Sequence, residues 1–465
     1  MVCLMKSSVK FKQGINPNQE FLFPKKPADF LPDDHLAKAV YEIVGHLNLD
    51  SMIAKYSEMG QHAYDPGTMT RLLFYGYCIG VRSSRKISKG CEDRFDFIYL
   101  TDGLKPSHDR ISDFRKDNLQ ELKDIFKDIV LIGANLGLAN FGNIKVSIDG
   151  SKVKANASPK LTKDEEGLEK LMIKTEEEIK QLFEEAERID QEENAKFGKN
   201  RGDELPKKLQ AKESRLAAIK DAFELLKKQK QEAEERVKEE KKRELTKAEL
   251  QKIEKMKINV TDRDARFMKE RNGVIKPNYN AQVSVDEKNQ FIIANDVTDE
   301  CNDCHQLIPM MQETEKNIEE KPEQAKADNG YNSQLEKAVE LFPETEFFVD
   351  DVNRRKKDLD MEKIKEEYSK TKLKNLKRLL TKQGSDEYKK RMYTVEPVIG
   401  NIKFNMGYRH FIMRGLKKVK CEFNLMCIAH NLKKIVSFVK KRGFDLAIAL
   451  QNLPTANANG TRLPG

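Results

Sequence analysis

Three acidic residues lie at positions in the sequence from which their side chains could bind a ligand. Asp149 follows a short β-branched run at residues 143–148, and Asp328 follows a short strand-like run and precedes Asn329-Gly330. Carboxylates at the carboxyl ends of strands project from the edge of a sheet at which α/β proteins bind ligands. The alternative is that both aspartates are turn residues, because Asp-Gly and Asp-Asn-Gly are common in turns, and composition alone favours that interpretation.

The third acid, Glu396, lies in a short segment that is predicted to be helical. The apolar face of this segment consists of Val395, Val398, Ile399 and Ile402. Arg391 and Lys403 fall within about two helical turns of Glu396, so cations can lie beside its carboxylate. A surface ion-pair cluster is the common alternative for such a grouping.

Motifs for covalent catalysis and for nucleotide binding are absent from the sequence. It contains no G-x-S-x-G elbow, no Walker A loop and no H-E-x-x-H. Residues 301–305 (CNDCH) resemble half of a zinc site. A structural zinc normally needs four ligands, and no second spaced pair accompanies this one. Cys304 and His305 are therefore interpreted as the start of a helix.

The N-terminal part of the chain, residues 1–140, is predicted to be an all-helical domain. Asp65 and Pro66 have the residue types expected at an N-cap and at the first helical position. The apolar residues that follow them recur at helical spacing. Further helices are predicted to begin near Ser83 and to run from Ser107 to Ile129.

Short strand-like runs predict a mixed α/β domain over residues 141–162 and 258–412. These runs are residues 143–148, a hairpin over residues 279–285 and 291–294, residues 326–327 and residues 346–349. Helical stretches over residues 304–318 and 333–341 alternate with the strands. This alternation indicates an α/β fold with a mixed sheet and flanking helices.

Residues 163–257 are predicted to be a coiled-coil helical hairpin inserted after the first strand. Apolar residues recur at steps of four and three from Leu168 to Ile189 and again from Leu209 to Val237, within a highly charged background. A disordered charged linker is the alternative. The last part, residues 413–465, is predicted to be a basic helix followed by a frayed tail.

Composition excludes several classes of protein. No run approaches the roughly 20 apolar residues that span a bilayer, and the first residues lack the apolar stretch of a secretory signal. Seven cysteines at irregular spacing argue against a disulfide scaffold. A net charge of +9 is compatible with a polyanionic partner without demanding one. We therefore expect a soluble intracellular protein.

Several short motifs occur in a fixed order along the chain. They are residues 147–158 (SIDGSKVKANAS), residues 327–331 (ADNGY), and Tyr388, Arg391, Glu396 and Lys403, together with blocks at 64–66, 73–77, 80–86, 113–115, 261–268 and 279–282. This ordered set resembles the bacterial insertion-sequence DDE transposases, in the branch whose last acid lies in a Y…R…E…K motif. Four residues separate Arg391 from Glu396 here, whereas three is usual in that branch.

The resemblance implies a ribonuclease-H-like fold in which two aspartates on neighbouring strands and a glutamate on a later helix converge. Asp149, Asp328 and Glu396 would then be the catalytic residues and the ligands of Mg²⁺, for which Mn²⁺ can substitute. Crowded carboxylates repel one another unless a cation neutralises them, and Mg²⁺ prefers carboxylate oxygens. Two such ions about 4 Å apart would activate a water or a 3′-hydroxyl and stabilise the leaving oxygen.

The resemblance also implies that the partner is double-stranded DNA, namely the terminal inverted repeats of an element and a target. The protein would act as a homodimer on DNA, in the bacterial cytoplasm and associated with the nucleoid. The side chains expected to contact phosphates are Arg391, Lys403, Tyr388, Lys152, Arg82, Arg85 and Lys86. Two other functions stay open: a catalytically silent DNA-binding protein derived from a transposase, and a ribonuclease-H-like nuclease without strand transfer.

Overall fold

The computed structural model describes residues 26–56, 63–139, 142–197, 207–241, 243–270, 272–356, 359–443 and 446–451. The predicted tail from Thr455 to Gly465 and the predicted turn of the charged hairpin lie outside these residues. The described helices are α1 Leu36–Gly45, α2 Asp50–Ile53, α3 Pro66–Cys78, α4 Ser84–Asp93, α5 Phe95–Leu100, α6 His108–Asp117, α7 Leu119–Asn135, α8 Glu165–Phe197, α9 Lys207–Lys241, α10 Lys247–Glu254, α11 Leu307–Ile318, α12 Leu335–Leu341, α13 Met361–Glu367, α14 Lys370–Leu380, α15 Lys382–Gly400, α16 Leu416–Arg442 and α17 Leu446–Gln451.

The strands form one mixed sheet and one small two-stranded pair. They are β1 Lys145–Lys154, β2 Thr162–Lys163, β3 Ile258–Asn259, β4 Arg266–Lys269, β5 Ile275–Asp286, β6 Ile292–Thr298, β7 Gln324–Ala327 and β8 Glu346–Val349. In the large sheet the order is β4-β5-β1-β7-β8, and β6 also pairs with β5. The pairs of β5 with β1, β4 and β6 are antiparallel, whereas β1, β7 and β8 run parallel. The predicted α/β class is therefore confirmed.

The first strand does not end where the sequence predicted. β1 continues through Asp149 and Gly150 to Lys154, because β5 pairs with it along that whole stretch. Asp149 is opposite Val283 and Gly150 is opposite Gln282. The interpretation of Asp149-Gly150 as a turn is therefore wrong.

Local capping signals in the N-terminal helices are mostly confirmed. The Asp65 carboxylate accepts a hydrogen bond from the Thr68 N–H at 2.8 Å, and Pro66 occupies the first position of α3. The predicted helix from Ser107 to Ile129 is two helices, because Asn118 leaves helical geometry between α6 and α7. Its side-chain amide donates to the Phe114 carbonyl at 2.8 Å, which satisfies a carbonyl at the end of α6.

The predicted basic C-terminal helix, α16, passes through the core of the molecule. Its middle turns are buried on all sides between the sheet and the N-terminal helices. The Asn431 amide makes two hydrogen bonds with the backbone of Ile292 on β6. Asn424 bonds to Asn295 on β6 and to the Leu122 carbonyl on α7. Buried amides thus join α16 to both neighbours, and one continuous apolar core includes all three layers.

The charged insertion contains two long helices that pack against each other. Leu168 on α8 and Ile219, Phe223 and Leu226 on α9 form a separate small core with Ile258 on β3. The small sheet of β2 and β3 lies at the base of these helices. The domain limits predicted at residues 140, 162, 257 and 412 stay predictions.

Among the described residues, none of the helices combines the length and the apolar character needed to cross a membrane.

Candidate active site

The parallel pairing of β1 with β7 brings two of the predicted acids side by side. Val146 pairs with Ala325 and Ser147 pairs with Lys326. Extending this register by two residues puts Asp149 opposite Asp328. Neighbouring strands lie about 4.8 Å apart, so the two aspartates are adjacent where β7 ends.

Both aspartates lie in surroundings that disfavour a negative charge. Asp149 is only 4 % exposed, and burial raises its carboxyl pKa from the usual 3.8 to about 6, with nearby Asp328 acting in the same direction. Arg391 opposes that rise. Burial also raises the pKa of Asp328, while the Gly330 N–H, which donates to its carboxylate at 2.8 Å, acts in the opposite direction. A cation close to both carboxylates would relieve this penalty.

Arg391 links Asp149 to the third predicted acid. It lies on α15, with Nη1 3.2 Å from Oδ2 of Asp149 and Nη2 3.9 Å from Oε1 of Glu396. The Glu396 side chain is 41 % exposed and lies at the rim, whereas Arg391 is largely buried. Burial opposes the charged guanidinium, yet the neighbouring Asp149 raises the pKa of Arg391, so it remains a cation. A single guanidinium thus connects Asp149 and Glu396.

A proline in α15 is accommodated next to this site. Pro397 has no N–H for the Tyr393 carbonyl four residues earlier. The Gln290 side-chain amide donates to that carbonyl instead, at 2.8 Å. Gln290 lies in the turn between β5 and β6 with a positive φ of 57°, so this bond also ties α15 to the sheet.

The donor set fits a hard divalent cation by its chemistry, since all three acids offer carboxylate oxygens. Within the part of the chain that the structure describes, no group of three acidic, histidine or cysteine side chains is arranged to hold a metal ion. Arg391 is the cation between Asp149 and Glu396. Cys301, Cys304 and His305 lie in the loop before α11, which begins at Leu307 and not at Cys304.

Two family models match the chain. A model described as a transposase DDE domain matches residues 351–436, which include Arg391 and Glu396. A model described as a transposase domain of the DUF772 type matches residues 26–117, the N-terminal helices. Both matches are to transposase domains, which agrees with the resemblance to insertion-sequence DDE transposases. Neither matched range includes Asp149 or Asp328, and comparisons with curated proteins and with solved structures give no significant match.

The other predicted residues of the transposase motif also lie around the site. The Lys403 Nζ donates to the Lys152 carbonyl at 2.6 Å and to the Ser151 hydroxyl, just beyond Asp149 on β1. Lys152 lies 4.0 Å from the Asp303 carboxylate. Tyr388 is buried on α15 against Phe348 and Leu379, and the guanidinium of Arg354 lies over its ring, 4.4 Å from the ring centre.

The three predicted DNA contacts of the N-terminal helices differ in their placement. Arg85 and Lys86 are exposed on α4. Arg82 is largely buried, and its Nη1 lies 2.9 Å from Oε1 of Glu422 on α16 and 2.8 Å from the His410 carbonyl. Glu422 is fully buried. This placement favours a structural role for Arg82 in joining the N-terminal helices to α16.

Sequence reasoning missed two further acids close to the candidate site. Asp303 accepts hydrogen bonds from the side chains of Asn280 and Gln282. Asp350 follows β8 as Asp328 follows β7, and the pairing of Ala327 with Val349 puts these two aspartates in register. The predicted strand at residues 346–349 could have identified Asp350 by the same rule that identified Asp328.

Asp350 differs from Asp149 and Asp328 because two arginines neutralise it. Its carboxylate oxygens lie 3.0 Å from Nε of Arg354 and 2.8 Å from Nη2 of Arg355. Both arginines lie in the short turn Val352–Arg355 that directly follows. Asp350 is therefore engaged in holding this basic turn at the edge of the site.

Proposed function

We propose that this transposase cleaves DNA and joins DNA strands at the ends of an insertion sequence. In this proposal Asp149, Asp328 and Glu396 are the catalytic residues and hold Mg²⁺, with Mn²⁺ as a substitute. The observation that carries the proposal is the register of β1 with β7, which puts Asp149 and Asp328 side by side. The ion pairs of Arg391 with Asp149 and Glu396 bring the third acid to the same place.

A ribonuclease-H-like sheet is part of the proposal. The strands run β6-β5-β1-β7-β8, with β5 antiparallel to β1 and the last two parallel to it. The two aspartates lie on the central pair of neighbouring strands, and the glutamate lies on a later helix packed against them. This is the arrangement that the resemblance implies. The inserted helices α8 and α9 are proposed to be a coiled-coil hairpin, supported by their shared apolar core.

The chain's own residues would prepare the site for a phosphodiester. Burial keeps water from Asp149 and strengthens its attraction to any cation. Arg391 pairs with Asp149 and Glu396, and its guanidinium would be able to pair with a DNA phosphate if the three acids held a divalent ion. Bound divalent ions supply activation of the attacking hydroxyl and stabilisation of the leaving oxygen.

DNA contacts are proposed for the basic residues around this site. Lys152, Arg391 and Lys403 line the end of β1 beside the acids. Tyr388 would act through its neighbour Arg391, and the exposed Arg85 and Lys86 would contact phosphates from the N-terminal helices. Such contacts give affinity and position without reading sequence. Double-stranded element ends, a DNA target and a homodimer assembled on DNA complete the proposal.

Cleavage of end-bearing DNA tests this function. Purified protein, Mg²⁺ and a plasmid that carries the element ends should give nicked and joined products. Asp149→Asn, Asp328→Asn and Glu396→Gln should each lower the rate by at least about 100-fold, because each removes a negatively charged ligand of the proposed metal ions. Asp386→Asn is the matched control, since this exposed acid lies on α15 and pairs only with Lys389 among the ion pairs described. Activity of all three variants equal to that of the wild type would refute the assignment.

A further inference from the structure

Asp303 is a carboxylate whose position depends on side chains of the sheet. The Asn280 amide donates to its Oδ1 at 2.7 Å, and the Gln282 amide donates to the same oxygen at 2.6 Å. Asn280 and Gln282 are both fully buried on β5. Two buried donors on one oxygen fix where this carboxylate lies.

Asp303 lies against Gly150, on the face of the sheet opposite to the Asp149 side chain. Successive side chains of a strand point to opposite faces, so Asp149 faces α15 while position 150 faces Asp303. A β-carbon built on Gly150 would lie 2.5 Å from Oδ1 of Asp303 and closer still to the Gln282 amide. Gly150 is therefore required for space, and not for a turn. The glycine after the first acid makes room for Asp303.

The same hydrogen-bond chain reaches the second acid. The Tyr331 hydroxyl donates to Oε1 of Gln282, whose amide in turn donates to Asp303. Tyr331 is fully buried and lies in the turn Asn329–Gln334 that begins directly after Asp328. The Ser333 hydroxyl in that turn also donates to the carbonyl of Cys304, next to Asp303, at 2.6 Å. The turn that carries Asp328 is thus attached to the loop that carries Asp303.

We propose that Asp303 is a positioning residue of the active site, acting through Gln282 and Tyr331 to hold the turn of Asp328 in place beside Asp149. This inference rests on the proposed function, because its effect is exerted on the proposed metal ligands. Asp303 acts as a hydrogen-bond acceptor, and not as a ligand of the ion. The CNDCH stretch at residues 301–305 therefore contributes its aspartate to the site, and its cysteines and histidine do not contribute.

Two substitutions at position 303 separate the acceptor from the charge. Asp303→Asn keeps an oxygen that can accept both amides, whereas Asp303→Ala removes it. We expect Asp303→Ala to lower cleavage by about 30-fold and Asp303→Asn by less than about 3-fold, since small misplacements of reacting groups have large effects on rate. Binding of Mn²⁺, followed by electron paramagnetic resonance of the free ion, should weaken about 10-fold in Asp303→Ala and remain within about 3-fold in Asp303→Asn.

A second variant and a control variant distinguish a positioning effect from a folding defect. Tyr331→Phe removes only the hydroxyl that reaches Gln282, and it should weaken Mn²⁺ binding in the same direction. Asp299→Ala is the matched control, because Asp299 lies in the same loop region and pairs with Arg266 at 3.1 Å. It should leave Mn²⁺ binding and cleavage unchanged.

Each possible outcome distinguishes this inference from the proposed function. Equal losses in Asp303→Asn and Asp303→Ala would show that the charge matters and would overturn the positioning role. An Asp303→Ala variant and a Tyr331→Phe variant that both match the wild type would overturn it as well. A wild-type protein that neither cleaves end-bearing DNA nor binds Mn²⁺ would instead refute the proposed function itself.

Discussion

Replacing the buried Asp149 by asparagine should stabilise the metal-free protein at neutral pH. The folded-state pKa of Asp149 is about 6, compared with 3.8 for the exposed group. The folded protein thus binds this proton more tightly than the unfolded chain, so ionisation opposes folding as the pH rises through 6. At about 1.4 kcal/mol for each factor of ten, the penalty reaches about 3 kcal/mol above pH 6 and vanishes below pH 3.8. Asparagine resembles the protonated form and avoids this penalty.

Urea unfolding with EDTA at pH 4.5, 6.0 and 7.5 measures this difference directly. The variant should gain up to about 3 kcal/mol at pH 7.5 and much less at pH 4.5. Adding Mg²⁺ at ten times its dissociation constant should raise the stability of the wild type by about 1.4 kcal/mol at pH 7.5, with a smaller gain in the variant. Asp386→Asn, at a side chain that is 57 % exposed, should change the free energy of unfolding by less than about 0.5 kcal/mol. A variant that is less stable than the wild type at pH 7.5 would refute the reasoning.

Two further predictions concern buried cations. Lys326 is fully buried on β7 and pairs with Glu287 and Glu387. Lys326→Met should lower the free energy of unfolding by about 3 kcal/mol in urea titrations, because both acids lose this partner. An unchanged free energy of unfolding would contradict this. Arg82→Ala should also destabilise the protein by about 3 kcal/mol yet leave the salt dependence of DNA binding unchanged, since its partner is protein. Arg85→Ala should do the reverse, reducing the slope of log K against log salt by about one with stability unaltered. A reduced slope of log K against log salt in the Arg82→Ala variant would show that Arg82 contacts DNA.

Features that depend on local chemistry could be predicted from the sequence. The cap by Asp65 at α3, the hairpin of β5 and β6 and the strand β8 all follow from residue types within a few positions. The placement of Asp328 directly after β7 was also predicted, from the short strand-like run at residues 326–327. Residues close in sequence determine these elements, so the local sequence pattern was sufficient to predict them.

Features that depend on distant partners could not be predicted in this way. Asp149-Gly150 has the composition of a turn, but pairing with β5, more than 100 residues later, keeps it in a strand. The sequence predicted α16 only as a basic helix, and its burial could not be foreseen because buried amides such as Asn431 hold its middle turns against the distant β6. Asp303 gave no local signal, because its partners Asn280 and Gln282 lie on another element.

The site is held by different means on the two faces of the sheet. On one face, Lys326 joins β7 to α15 through Glu387, and Arg391 joins α15 to Asp149, so charge fixes the helix that carries Glu396. On the other face, the side-chain amides of Asn280 and Gln282 fix Asp303 against Gly150, and Lys152 lies 4.0 Å from its carboxylate. The Tyr331 hydroxyl donates to Gln282. Charge pairs on the first face can exchange for a phosphate or a divalent ion, whereas the amide network offers no such exchange. The helix that carries Glu396 is therefore held by exchangeable ion pairs, whereas buried amides give Asp303 a fixed position.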